Sequence, residues 1–315
     1  MNTSTKNIYA GISLAVLATL IWSGNYVVAR GIIKEMPPVS LGFYRWALAS
    51  VLIAPLAWRN FLLERKAVWE NRKYIFWTAL TGVTIFNTFI YLAGHYSPAI
   101  NLALIASTAA PVFAIILAAI FLHEIIGPLR IVGMVICFVG ILYLLSGGRL
   151  RSLQEFRFGK GDLLIFISAF SFAVYSILVR KRPAVISPIV FLFVIFTLGT
   201  ACLFPFYFYE VLHTEPVHWN KNMLLIIFYL GLGNSIISFF CWNSAISRLG
   251  ASRAALFANL IPVFSAIEAV LFLGEEFSRV HLISGLLIIL GLMIANLRTK
   301  GRRSNLRRNE TKLKS

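Results

Sequence analysis

Charge is what this chain has least of. Only 13% of its 315 residues are Asp, Glu, Lys or Arg, and just 12 are acidic, against roughly a quarter charged in a typical soluble domain. Cysteine is nearly absent too. Cys137, Cys202 and Cys241 each stand alone in an apolar run, which argues against a disulfide framework or a zinc site. The histidines His95, His123, His213, His218 and His281 are scattered near helix ends, without HExxH or a paired-Asp motif. No metal, no cofactor and no catalytic centre are therefore expected. The apolar runs are continuous, with no alternation at period two, which speaks against a barrel. The first run lacks a basic leader with a small-residue cleavage site, so it reads as a retained helix and not a signal peptide.

In place of charge there is hydrocarbon. Hydrophobic residues make up 59% of the chain and mean hydropathy is +0.81. Charge-poor runs of roughly 16 to 24 residues fall near 8–29, 39–58, 74–93, 98–122, 131–146, 163–179, 186–209, 223–246, 252–273 and 280–297. About 20 apolar residues cross a bilayer core, so the expectation is an all-α integral membrane protein with ten transmembrane helices. The connections are too short to hold a soluble catalytic domain. The longest, residues 59–73, is strongly charged and is expected to be a solvated cytoplasmic loop.

The formal net charge of +17 would suggest nucleic acid in a soluble protein. Here it follows the rule that basic residues gather on the cytoplasmic side. With the amino terminus in the cytoplasm, 20 Lys and Arg lie in inner segments and 8 in outer ones, with Arg45 inside a helix. Both termini are then cytoplasmic, at an inner membrane. The loop holding Arg149, Arg151, Arg157 and Lys160 dissents, since it falls outside. The basic tail, residues 298–315, is expected to orient the chain and touch anionic lipid, with no nucleic-acid partner.

The segment PVFAIILAAIFLHE at 111–124 returns as PVFSAIEAVLFLGE at 262–275, with eight of fourteen positions identical at a separation of 151. WSGNYVVAR at 22–30 lines up with FAVYSILVR at 172–180. The chain is thus read as a duplication, 8–146 and 161–297, joined by the Gly-rich stretch 146–161. Five helices per copy is an odd number, so the copies enter the membrane in opposite senses. Two inverted repeats with a site between them is the plan of a secondary transporter.

These duplicated segments, with Pro in the first half of an apolar helix followed by FLHE or FLGE, together with WSGNY at 22–26 and FYRW at 43–46, resemble the EamA family of the drug/metabolite transporter superfamily. The resemblance spans roughly residues 8–297. It implies ten helices in two inverted five-helix repeats and the carriage of small metabolites, often outward.

Polar groups at membrane depth mark the candidate site, since each costs energy unless it faces a cavity or a partner. Arg45 in the second helix and Glu268 in the ninth are full charges that break the repeat, aligning with Ile195 and Leu117. Both lie about 8 to 9 Å from the outer ends of their helices at 1.5 Å per residue, so they are expected to meet. Arg45 suits a carboxylate or phosphate. Glu268 would hold an amine or carry a coupling proton. Asn25, Asn87 and Asn259, with the aromatics Trp22, Tyr26, Tyr91, Tyr175 and Trp242, are the further candidates for the substrate site. Pro111 and Pro262 are candidate hinges. Helix-end pairs are expected between Arg30 and Glu275 outside and between Arg180 and Glu124 inside. The cargo expected is an amino acid or related compound moved by alternating access. A nucleotide, nucleotide-sugar or lipid-linked sugar carrier, a membrane-embedded enzyme and a channel are the alternatives. Sequence leaves the oligomeric state open.

Overall fold

A computed structural model describes residues 3–32, 36–93, 96, 99–124, 126–149, 159–217, 219–273 and 278–297. The first half runs α1 (Thr3–Ile32), α2 (Pro38–Glu70), α3 (Arg72–Ala79), α4 (Phe86–Ala93), α5 (Ala99–Leu122) and α6 (Pro128–Leu145), with the π-helical segment Leu80–Ile85 joining α3 to α4. The second runs α7 (Lys160–Arg180), α8 (Pro188–His213), α9 (Lys221–Phe228), α10 (Ser238–Leu249), α11 (Ala251–Ala255), α12 (Ile261–Leu273) and α13 (Arg279–Asn296). A π-helical segment, Tyr229–Ile237, joins α9 to α10, and a 3₁₀ segment, Leu256–Leu260, joins α11 to α12. No strand occurs among the described residues, and seven helices there are long and apolar enough to cross a membrane. Ala109–Leu122 and Pro128–Leu144 are shorter apolar helices. Side chains such as Val51, Leu56 and Phe206 point outward, each more than half exposed, as lipid-facing residues do.

Local sequence explains the boundaries. Proline opens α2, α6 and α8, where its missing N–H removes no helical bond. Gly250, at φ +89°, stops α10 in a backbone conformation that side chains disfavour. The charged stretch 59–73 is not a loop: α2 continues through it to Glu70 and α3 begins at Arg72. LLERKAVWE consists mostly of strong helix formers with no Gly or Pro, so polarity alone does not end the helix. At 33 residues α2 is about 50 Å long and outruns the hydrocarbon.

Packing has a pattern that survives exchange of the halves. α6 lies along α13 and α2 along α8, while α1 packs on α10 and α12 as α7 packs on α4 and α5. α2 and α8 also cap one another. Glu210 near the end of α8 accepts from the backbone N–H of Val39 (3.1 Å) and Ser40 (2.6 Å), and Glu64 near the end of α2 accepts from Ser187 N–H (2.8 Å). These are helix-start donors with no intrahelical partner, and each helix supplies the carboxylate that the other needs. At the centre, Trp22 meets Phe172, its repeat counterpart, edge-on at 5.6 Å, and Trp242 at 5.0 Å.

Candidate functional site

A cavity of about 80 Å³ opens between the halves. α1 contributes Trp22 and Asn25, α2 Arg45, α4 Phe86 and Asn87, α7 Ser168 and Phe172, and the second π segment Asn234. Ala110 of α5, Ala258 of the 3₁₀ segment and Ile261 of α12 also line it, with Ile90 and Ala169.

Arg45 is 2% exposed. Its Nε donates to Ser235 Oγ at 2.7 Å, Nη1 to Tyr91 Oη at 3.1 Å and Asn87 Oδ1 at 3.3 Å, and Nη2 to the Asn234 carbonyl at 3.3 Å. The guanidinium also lies 4.7 Å from the Trp46 ring centroid, a cation–π contact that offsets part of its desolvation. All of these partners are neutral. The π segment matters here, because π-helical turns interrupt regular helical bonding. Its Asn234 carbonyl serves both Arg45 and Trp22 Nε1, the latter at 3.1 Å.

Arg45 and Glu268 do not meet. Glu268 Oε1 accepts from Ser23 Oγ at 2.8 Å, and Oε2 is buried with no hydrogen-bond partner among the described residues. Glu268 on α12 is taken by Ser23 of α1, against which α12 packs, while Arg45 reaches the π segment. The expected inner pair is also absent. Glu124 accepts from Ala251 N–H (3.0 Å) and Ser252 Oγ, and lies 3.8 Å from Arg130. Arg180 donates to the Ser247 carbonyl. A carboxylate goes to the free amides starting a helix and a cation to the carbonyls ending one, and these local attractions win over the pairing of the two side chains. For Arg30 and Tyr26 the side chains, and for Glu275 the whole residue, lie outside the described residues.

Other candidates scatter. Tyr91 acts through Arg45. Tyr175 donates to Asn243 Oδ1 at 2.7 Å and, with Trp242, belongs to the packed aromatic centre and not the cavity wall. Asn259 and Pro111 line a different, apolar cavity of about 230 Å³ beside Val112, Met134 and Phe138. α5 passes through Pro111 as one continuous helix, whereas Pro262 is the second residue of α12, one residue past the 3₁₀ segment. Sequence reasoning missed Ser168, Phe172 and Ser235 at the site and did not place Asn234 there. Phe172 was findable as the repeat image of Trp22, and Asn234 as one more amide at membrane depth. Among the described residues no cluster of His, Cys, Asp or Glu could hold a metal ion.

Helices built for lipid around an interior cavity define a multi-pass membrane transporter, and the comparisons agree. The pattern of the EamA-like transporter family matches residues 9–146 and again 159–297, so this chain belongs to that family of the drug/metabolite transporter superfamily, whose members are transporters and not enzymes. It is 29% identical to an "Uncharacterized transporter" of Archaeoglobus fulgidus, over 89% of this chain and 95% of the relative. It is 26% identical to a "Probable amino-acid metabolite efflux pump" of Escherichia coli, over 89% and 93%. One crystal structure matches with a TM-score of 0.75 at 20% identity, over 93% of this chain and 96% of its own, which speaks for the fold alone.

Proposed function

We propose that the chain exports an amino acid or a closely related small polar metabolite across the cytoplasmic membrane by alternating access. Arg45 carries this reading. It is a buried cation on the wall of an interior cavity, held among the described residues by neutral acceptors and by no carboxylate, with two of its three Nη contacts as long as 3.3 Å. A buried charge lacking a counter-ion is costly, and a substrate carboxylate would supply one through two parallel N–H···O bonds. Asn25 and Asn87 would satisfy further polar groups, with Trp22 and Phe172 as apolar walls. The cavity has room for about five to eight waters, which suits an amino acid better than a nucleotide. Cargo and direction come by analogy with the E. coli relative, an associational warrant.

The same reading takes the chain as ten spans in two inverted five-helix repeats, with both termini and the basic tail cytoplasmic. The packing pattern that survives exchange of the halves, the π segments at matching places and the 20-to-8 distribution of basic residues support it. A carboxyl-terminal reporter that lights up outside the cytoplasm overturns the topology. For the cargo, proteoliposomes are loaded with radiolabelled L-amino acids and efflux is followed in wild type and Arg45→Gln. Efflux by the wild type, lost in the variant, is expected; equal efflux in both removes Arg45 from recognition.

A further inference from the structure

Arg45 can meet a carboxylate in two ways, and the structure leaves one of them open. A planar guanidinium presents paired N–H groups along its side, from Nε and one Nη, and at its end, from Nη1 and Nη2. Two consecutive residues of the second π segment hold the side. Ser235 Oγ takes Nε at 2.7 Å, the shortest bond Arg45 makes, and the Asn234 carbonyl takes Nη2 at 3.3 Å. Ser235 is fully buried, and its Oγ also lies 2.9 Å from the Leu230 carbonyl. That carbonyl only accepts and Nε only donates, so the hydroxyl proton goes to Leu230 and a lone pair faces Arg45. In the regular helices of this chain the hydroxyls of Ser50, Ser176 and Thr200 reach the carbonyl four residues back, the usual habit of such side chains. Ser235 sits in the wider π turn and reaches five back, with its oxygen against α2.

The end of the guanidinium is held more loosely. Nη1 spends its two protons on Tyr91 Oη at 3.1 Å and Asn87 Oδ1 at 3.3 Å. Of the five N–H groups, the one left without a partner among the described residues is therefore on Nη2. Asn87 lines the cavity and is anchored separately, its Nδ2 donating to the Val83 carbonyl at 3.2 Å, so its Oδ1 can release Nη1 without setting the side chain adrift. Ser235 does not line the cavity and touches Arg45 from behind.

We propose that Ser235 is a positioning residue for recognition: by holding Nε it fixes the plane of the Arg45 guanidinium and reserves its end, Nη1 and Nη2, for the carboxylate of the cargo. One carboxylate oxygen takes the open N–H of Nη2, and the other takes the N–H of Nη1 that Asn87 gives up, which makes the two parallel bonds such a pair favours. The inference rests on the reading above, in which Arg45 binds a carboxylate; it adds which edge is offered and what fixes it. Without Ser235 the guanidinium can roll about its stem and offer either edge, so the alignment is lost although the charge remains.

The test uses the full-length protein in lipid vesicles and two readouts. Equilibrium binding is measured for radiolabelled L-amino acids and for their carboxamides, which offer one acceptor oxygen in place of two. Ser235→Ala should weaken the acids about tenfold, the factor for one hydrogen bond to a charged group, and leave the amides as in wild type; Ser235→Thr, which keeps the hydroxyl, should restore the acids. Equal losses for acid and amide, unchanged acid binding, or a Thr variant no better than Ala overturns the proposal. The second readout is the Arg45 Nε–H resonance in protein labelled with ¹⁵N-arginine, identified by its loss in Arg45→Gln. It should exchange with water slowly in wild type and Ser235→Thr and faster in Ser235→Ala. Should Ser235→Ala not accumulate, wild type carries this readout alone, and an Arg45 Nε–H that exchanges as fast as those of exposed arginines overturns the proposal. A wild type that binds no amino acid yet protects Nε–H overturns the cargo reading and leaves the anchoring of Arg45 by Ser235 standing.

Discussion

The two halves of this protein share a scaffold and differ where the chemistry is. Pro55 and Pro205 fall inside α2 and α8 at a separation of 150, and each half has a π segment in its third span. Against that common frame Arg45 faces Ile195 and Glu268 faces Leu117, both counterparts buried. The helix around Pro111 is continuous, while its image around Pro262 begins as α11 and a 3₁₀ turn. Duplication supplies a bundle that folds with apolar residues at these places. The charges are therefore additions that packing does not require.

Exchanging counterparts between halves breaks the comparison most directly. Arg45→Ile installs the residue of the second half and should cost about 2 to 5 kcal/mol of substrate binding, the range for truncating one member of a buried charge pair, which is about 30-fold or more in affinity. Equilibrium binding of the transported amino acid measures it, and an affinity within a few-fold of wild type would detach Arg45 from the site. Next in size is Gly82→Ala. A Cβ there would fall 2.2 Å from the Tyr175 ring, and overpacking costs about 1 to 3 kcal/mol. Gly233, in the middle of the second π segment, has its nearest neighbour at 3.5 Å, so Gly233→Ala should change stability by less than about 0.5 kcal/mol. Thermal unfolding in detergent compares the pair, and equal losses would mean that the π segments are packed alike.

A third test concerns the contact at Glu124. Glu124→Gln keeps the shape but removes the charge facing Arg130 and the α11 amides, and should cost about 1 to 2 kcal/mol, readable as a lowered unfolding temperature. No shift would reduce that contact to surface chemistry. The smallest effect on stability is expected from Glu268→Leu, the counterpart swap, because replacing a buried polar group by a well-packed apolar one is often neutral, within about 1 kcal/mol. A large loss of folded protein would show that the carboxyl holds the bundle together.

Helix class and family were legible because they rest on long apolar runs and on a repeat, signals spread over many residues. Arg45 was legible for a related reason, as a charge within a span stands out against hydrocarbon. Its partners were less so. The neutral cage of Ser235, Asn234, Asn87 and Tyr91 depends on how four segments meet, and Ser235 has no property in the sequence that separates it from other serines. Depth arithmetic placed Arg45 and Glu268 at one level but carried no angular information, so it could not reveal that each would take a different partner, Ser23 for the carboxyl and the π segment for the guanidinium. The helix ends misled for another reason. Opposite charges suggested Arg180 with Glu124, whereas the backbone amides and carbonyls at helix termini, invisible to residue type, captured both. Residues 59–73 read as loop by polarity, though the same letters are good helix formers.

The mutual capping of α2 and α8 sets a mechanical limit on any motion. Glu64 holds the start of α8 and Glu210 the start of α2, so the pair is pinned at both ends. Sliding one helix past the other by a single turn, about 5.4 Å, would strip both carboxylates from their amides at once. The two helices should then behave as one rigid strut spanning the bilayer, tilting as a body without shear along their seam. Displacement during a cycle falls instead to elements free of such double pinning, and the 3₁₀ break before Pro262 is where the chain is least committed to one helical pitch.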